Sequence, residues 1–125
     1  MPKLLIADDE PGIRSLVRMT LEHDSYEILE ASDGDEAIRL AREQHPELIL
    51  LDVQMPGLSG LEVCRMLKDD PSTADIIVVM LTARAQQSDL KSGAESGADA
   101  YFTKPFSPVA LMRKVDEVFG PKASS

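Results

Sequence analysis

Asp8, Asp9, Asp52, Thr82 and Lys104 are the residues of this sequence whose types and positions could do chemistry together. Each stands at the end of a largely apolar run. Leu4-Leu5-Ile6-Ala7 precedes Asp8-Asp9, Leu48-Ile49-Leu50-Leu51 precedes Asp52, residues 76–81 precede Thr82, and Tyr101-Phe102-Thr103 precedes Lys104. Three carboxylates brought close together repel one another and call for a counter-charge. Oxygen ligands without histidine or thiolate select Mg²⁺, Ca²⁺ or Mn²⁺, and a site with few protein ligands that leaves waters on the ion suits Mg²⁺ best. Lys104 adds a mobile ammonium and Thr82 a hydroxyl donor. A cation, an ammonium and a hydroxyl around one carboxylate equip a site for phosphoryl transfer, because the moving group carries its charge on equatorial oxygens. Asp52 would then be the nucleophile, since carboxylates form acyl phosphates. Taken singly, each residue has an ordinary reading: Asp52 starts a turn, Asp8-Asp9 faces a helix N-terminal dipole, Thr82 belongs to a strand, and Lys104 is a solvated charge. Only their joint placement points to chemistry.

The elements that must position them are legible in the pattern. Residues 48–51 are continuously aliphatic and run into Asp52, then into Pro56, Gly57, Ser59 and Gly60, as expected of a fully buried strand delivering a carboxylate to its C-terminal mouth. Residues 3–7, 26–30, 76–81 and 99–103 predict four further strands. Pro11 opens a helix with Ile13, Leu16, Val17, Thr20 and Leu21 on its inner side and Arg14, Arg18 and Glu22 opposite. Asp33 with Glu36, and Ser59 with Glu62, have capping-box spacing. The first pair starts a helix carrying Ala37, Ile38, Leu40 and Ala41 that His45-Pro46 closes. The second starts one with Leu61, Cys64 and Leu67 as its inward stripe. Residues 86–96 predict the weakest helix, with Gly93 inside it. Ser107-Pro108 starts the last helix, which carries Leu111, Val115, Val118 and Phe119 and stops at Gly120-Pro121. Five apolar strands alternating with five helices specify an α/β fold, a doubly wound parallel sheet covered on both faces. Right-handed crossovers gather the strand C-termini on one rim, where open α/β sheets bind ligands.

Composition sets bounds on function. The 125 residues suit one domain with a self-sufficient core. A formal net charge of −9 opposes a phosphate backbone, so no direct nucleic-acid contact by this chain is expected. The longest apolar runs are strand-sized and no signal-peptide pattern is visible, which predicts a cytoplasmic protein without a membrane span. Cys64 is the single cysteine, which precludes an intrachain disulfide and fits a reducing compartment.

The ordered set of Asp8-Asp9 in ADDE, Asp52 in LLDVQMPGLSGLE, Thr82-Ala83 in MLTARA, and Tyr101 with Lys104-Pro105 in GADAYFTKPF resembles the receiver domain of two-component response regulators, over residues 3–119. The resemblance implies a flavodoxin-like (βα)5 fold of strand order 2-1-3-4-5, with a receiver domain over 1–120 and 121–125 as a polar tail or the start of a linker. It implies that Asp52 accepts phosphate from a sensor histidine kinase or phosphotransfer protein, and that Asp9 and Asp52 ligate Mg²⁺ with the backbone carbonyl of Gln54. Mn²⁺ would substitute. Asp8 would hold a metal-bound water. Thr82 and Ala83 would bind the phosphoryl group with Lys104. Thr82 would swing inward and Tyr101 rotate after it, remodelling the face made by the 86–96 helix, the last strand and the last helix for a downstream effector or output domain. Further implications are a cis Lys104-Pro105 bond and tuning of phosphate lifetime by Gln54 and Arg84. The chain would catalyse only its own phosphorylation and dephosphorylation, as a monomer or a phosphorylation-dependent dimer. Ala100 stands where one DNA-binding subfamily has an aspartate of its dimer network, so that dimer is not carried over.

Two other functions fit the architecture less well. A phosphatase of the haloacid-dehalogenase type needs a second aspartate where Gln54 stands. A flavin carrier needs a Gly/Ser/Thr loop for phosphate where Asp8-Asp9-Glu10-Pro11 stands. A receiver-like module that only binds partners would have no use for the intact acidic set.

Overall fold

The computed structural model describes residues 2–21, 26–83, 97–104 and 106–119, without the side chains of residues 82, 83, 118 and 119. The expected 86–96 helix, Arg84, Pro105, the Gly120-Pro121 stop and the tail lie outside the described residues. Strands β1 (Lys3–Ala7), β2 (Glu27–Ala31), β3 (Leu48–Asp52), β4 (Ile77–Ala83) and β5 (Ala100–Lys104) form one parallel sheet of order β2-β1-β3-β4-β5. Helices α1 (Pro11–Leu21), α2 (Gly34–Gln44), α3 (Gly60–Asp69) and α4 (Pro108–Phe119) complete the described elements. The flavodoxin-like order is therefore as expected.

Alternation along each strand sorts the core into two layers. Leu5, Ala7, Ile49, Leu51, Val78 and Met80 face Ala37, Ile38 and Ala41 of α2 and Val63, Cys64 and Leu67 of α3. Leu4, Ile6, Leu48, Leu50, Val79 and Leu81 face Val17 and Leu21 of α1 and Leu111 and Val115 of α4. All five residues of β3 are buried because helices cover both of its faces, and this is why a continuous aliphatic run is stable there. Truncating one of them, for example Leu50→Ala, would cost about 2–5 kcal/mol.

Helix ends use the predicted chemistry with small differences. Ser59 and Glu62 form a full reciprocal capping box. At α2 the box is split, with Asp33 accepting from the Glu36 amide while the Glu36 carboxylate accepts from the Ser32 amide. His45 ends α2 in the left-handed region at φ 47°. Val63 joins Cys64 and Leu67 on the buried side of α3, and Leu61 is only partly buried.

Candidate functional site

Strand register brings the acids together. Ala7 pairs with Leu51, so the next residues on the two strands, Asp8 and Asp52, leave the sheet side by side. On the far side Asp52 pairs with Leu81, and Ala83 with Lys104, which carries the Lys104 side chain back over the same rim. One carboxylate oxygen from each of Asp8, Asp9 and Asp52 lies within 4.8 Å of the others. Asp8 is fully buried, Asp52 is 5% exposed, and Asp9 is exposed.

Lys104 Nζ lies 2.8 Å from Asp8 Oδ2, 3.4 Å from Asp52 Oδ1 and 3.4 Å from Glu10 Oε1. The Asp8 contact is a close ion pair, and Asp8 Oδ2 has no other polar partner among the described residues. The rest of Asp8 is anchored. Its amide donates to the Ala31 carbonyl at 3.0 Å, its Oδ1 accepts from the Glu10 amide at 2.9 Å, and its carbonyl accepts from Arg14 Nη1 at 2.7 Å.

The loop after β3 is shaped by two glycines. Gly57 holds φ 76°, a conformation other residues adopt at a cost. Gly60 approaches β3 so closely that a Cβ would strike the carbonyl oxygen of Asp52. Its amide donates to the Val53 carbonyl at 2.8 Å. This close approach seats α3 under the end of β3 and turns Gln54, Met55 and Pro56 over the acids. With Asp9, Glu10, Asp52 and Lys104 they line a cavity of about 390 Å³.

The electrostatics follow from burial. Burial, and then the charge of Asp8, push the Asp52 carboxyl from 3.8 up to about 6, while Lys104 and the Gln54 amide at 3.4 Å act in the opposite direction. Burial alone would lower the Lys104 ammonium, but its contact with Asp8 and the charges of Asp52, Asp8 and Glu10 leave it above its ordinary value. Among the described residues the Lys104 ammonium is the counter-charge that two buried carboxylates share, and the raised Asp52 carboxyl shows them under-compensated. An all-oxygen donor set in that state fits a hard divalent cation.

Of the predicted site residues, Asp8, Asp9, Asp52, Gln54 and Lys104 meet at this rim. Backbone pairing brings Thr82 and Ala83 beside Thr103 and Lys104. Tyr101 is partly buried against the α2/α3 layer, and its hydroxyl is buried without a hydrogen-bond partner. Burial, with a smaller contribution from Cys64, raises its phenol. The sequence reading missed Glu10, Arg14 and Gly60. An arginine one turn past Asp8-Asp9-Glu10, and a glycine after a cap, were the available signals.

Residues 4–116 match the family described as response regulator receiver domain. The phosphate regulon transcriptional regulatory protein PhoB of Klebsiella pneumoniae is 45% identical over 116 residues, 93% of this chain and 51% of that protein. The transcriptional regulatory protein ResD of Bacillus subtilis is 45% identical over 113 residues, covering 90% and 46%. The chain thus spans about half the length of these curated relatives. Among solved structures, chemotaxis response regulator CheY4 of Vibrio cholerae superposes with TM-score 0.88 at 31% identity, over 94% of this chain and 98% of that one. The receiver domain of sensor histidine kinase PA1611 from Pseudomonas aeruginosa, with a magnesium ion coordinated in its active-site cleft, gives TM-score 0.84 at 27% identity, over 93% and 95%.

Proposed function

Because this chain belongs to the response regulator receiver domain family, we propose that it is a phosphorylation-activated switch whose acceptor is Asp52. The donor is a sensor histidine kinase or a phosphotransfer protein. An Asp52 oxygen forms the new O–P bond as the donor's N–P bond breaks, and the imidazole leaves with the electron pair. Lys104 meets the charge arriving on a phosphoryl oxygen, with Thr82 and the backbone at Ala83 contacting the others. Asp9, Asp52 and the Gln54 carbonyl would hold Mg²⁺, with Asp8 reaching it through water and Mn²⁺ able to replace it. Bound there, the ion supplies neutralisation of the carboxylates and of the phosphoryl oxygens.

The output is a paired movement of Thr82 and Tyr101. A phenol hydroxyl buried without a partner is poorly held, which supports Tyr101 as the part that moves. The surface so remodelled addresses an effector or an output domain, and the half-length match to transcriptional regulators favours the latter. Gln54 and Arg84 set the phosphate's lifetime, and the chain acts on no substrate but its own phosphate.

One observation carries this reading: the Lys104 ammonium lies 3.4 Å from a buried aspartate that shares its pocket with two more carboxylates. Acetyl phosphate with Mg²⁺ is expected to phosphorylate Asp52, as read by intact-mass and peptide mass spectrometry, and chelation is expected to stop it. Phosphate found on another residue, or undiminished labelling of Asp52→Asn, would refute it.

A further inference from the structure

We infer that Arg14 is a positioning residue for the acidic pocket, fixing the Asp8 main chain so that the buried carboxylate points into the cation site. This inference rests on the proposed metal-binding reading and adds to it a residue that touches neither the ion nor the phosphoryl group.

Arg14 sits in the first turns of α1, on the side that helical periodicity assigns to solvent, yet its side chain is only 20% exposed. Nη1 donates to the Asp8 carbonyl at 2.7 Å and Nε to Glu30 Oε1 at 3.1 Å. The guanidinium therefore bridges the pocket's own loop to strand β2. Glu30 is held from its other oxygen by Arg18 Nε at 2.8 Å, and Arg18 Nη2 donates in turn to the Ile28 carbonyl at 3.2 Å. Two arginines of one helix thus clamp one glutamate of the edge strand. The planar fork of Arg14 reaches past it to the peptide that follows Asp8, a bridge that a lysine's single ammonium spans poorly.

The position of that peptide matters because, among the described residues, Arg14 is the side chain that holds the Asp8 carbonyl, and the other constraints act on its amide and its carboxylate. Its amide is tied to β2 through Ala31, and its Oδ1 caps the Glu10 amide. If the carbonyl is released, the peptide between Asp8 and Asp9 is free to rotate, which moves both acids at once. A misplacement of about 1 Å in a constellation of this kind is costly.

The sign of the effect separates positioning from plain electrostatics. Removing a positive charge near an acidic pocket tightens a divalent cation by Coulomb's law. A lost positioning contact weakens it. Mg²⁺ titrations by calorimetry on the intact chain, well below the melting temperature, are expected to show Arg14→Gln binding about 3- to 10-fold more weakly than the parent. Arg18→Gln, which removes the same charge but not the Asp8 contact, should bind within about 2-fold of the parent or more tightly. An Arg14→Gln affinity equal to or tighter than the parent's overturns the inference, as does an equal weakening in Arg18→Gln. Should Arg14→Gln fail to fold, Arg14→Lys carries the test: at least a 2-fold weakening supports the inference, and parental affinity overturns it. A parent that binds no Mg²⁺ overturns the metal site and this inference together, whereas a parent that binds and an Arg14→Gln that binds equally well overturns this inference alone.

Discussion

Replacing Asp52 with asparagine should stabilise the metal-free protein while abolishing its phosphorylation, and the size of the gain follows from the pocket. Burial and the neighbouring Asp8 raise the Asp52 carboxyl from 3.8 to about 6. At neutral pH the folded state must hold this group ionised at a cost of about 3 kcal/mol relative to the unfolded chain. A carboxyl raised in the folded state favours folding when it is protonated. Its contribution is therefore full below pH 3.8 and is lost as pH climbs through about 6. Asparagine carries no such penalty and can still accept from the Gln54 amide, a contact of 3.4 Å that contributes little in either protein. The attraction to Lys104 that the variant forfeits is already subtracted in the net shift.

Urea denaturation in chelator at pH 7.5 should show Asp52→Asn more stable by about 2–3 kcal/mol, roughly a 10 °C rise in melting temperature for a chain of this size. The advantage should shrink steadily toward pH 4. Saturating Mg²⁺ should narrow it as well, because an ion present at about 20 times its Kd stabilises the parent by about 1.8 kcal/mol through mass action. A variant no more stable than the parent at pH 7.5, or an advantage that stays flat down to pH 4, would refute the claim that the ionised Asp52 is strained in the fold.

Three further substitutions probe the scaffold. Gly60→Ala would drive a Cβ into the Asp52 carbonyl, and it should cost about 2 kcal/mol or more in denaturation and slow labelling by acetyl phosphate. Ser59→Ala removes one half of the α3 capping box, so it should cost about 1 kcal/mol with Mg²⁺ affinity unchanged, as checked by parallel melting and calorimetry. Lys68 Nζ donates to the carbonyls of Ala74 and Ile76 and to Asp99 Oδ2, at 3.1, 2.7 and 2.8 Å. Lys68→Met should therefore lose about 2–3 kcal/mol in urea, and a loss below 1 kcal/mol would show the cage to be solvent-compensated.

What the sequence disclosed and what it hid divide along a physical line. The β3 run could be read outright because burial on both faces leaves only one residue class acceptable at each position, and the capping box because its partners are three residues apart. The order of the sheet came from the motifs rather than from periodicity. Strand ends were misplaced by one or two residues where tertiary pairing decides them. β2 runs on to Ala31, whose carbonyl takes the Asp8 amide, and β4 reaches Ala83 because β5 pairs with it through Lys104. Arg14 was misread for a deeper reason. Helical spacing puts it opposite the aliphatic stripe, and nothing local reveals that an edge-strand glutamate and a peptide carbonyl will meet it there. The Lys68 cage escaped notice likewise, since it joins residues up to 31 positions apart.

The distribution of satisfied and unsatisfied groups is itself an argument about function. Elsewhere in the described fold polar groups find partners: the amide, carbonyl and Oδ1 of Asp8, the reciprocal cap at Ser59 and, at the opposite edge of the sheet, Lys68 with its three acceptors. Among the described residues, the buried side-chain atoms without a hydrogen-bond partner are Asp8 Oδ2 and the Tyr101 hydroxyl. One lies in the pocket, and the other belongs to the residue expected to respond to it. Strain confined to such positions, in an otherwise consistent fold, marks groups kept for a ligand or a second conformation rather than for stability. It follows that substitutions relaxing the acidic pocket, Asp52→Asn first among them, should raise stability and lose phosphorylation together, whereas substitutions in the surrounding scaffold should lower stability whatever they do to phosphorylation.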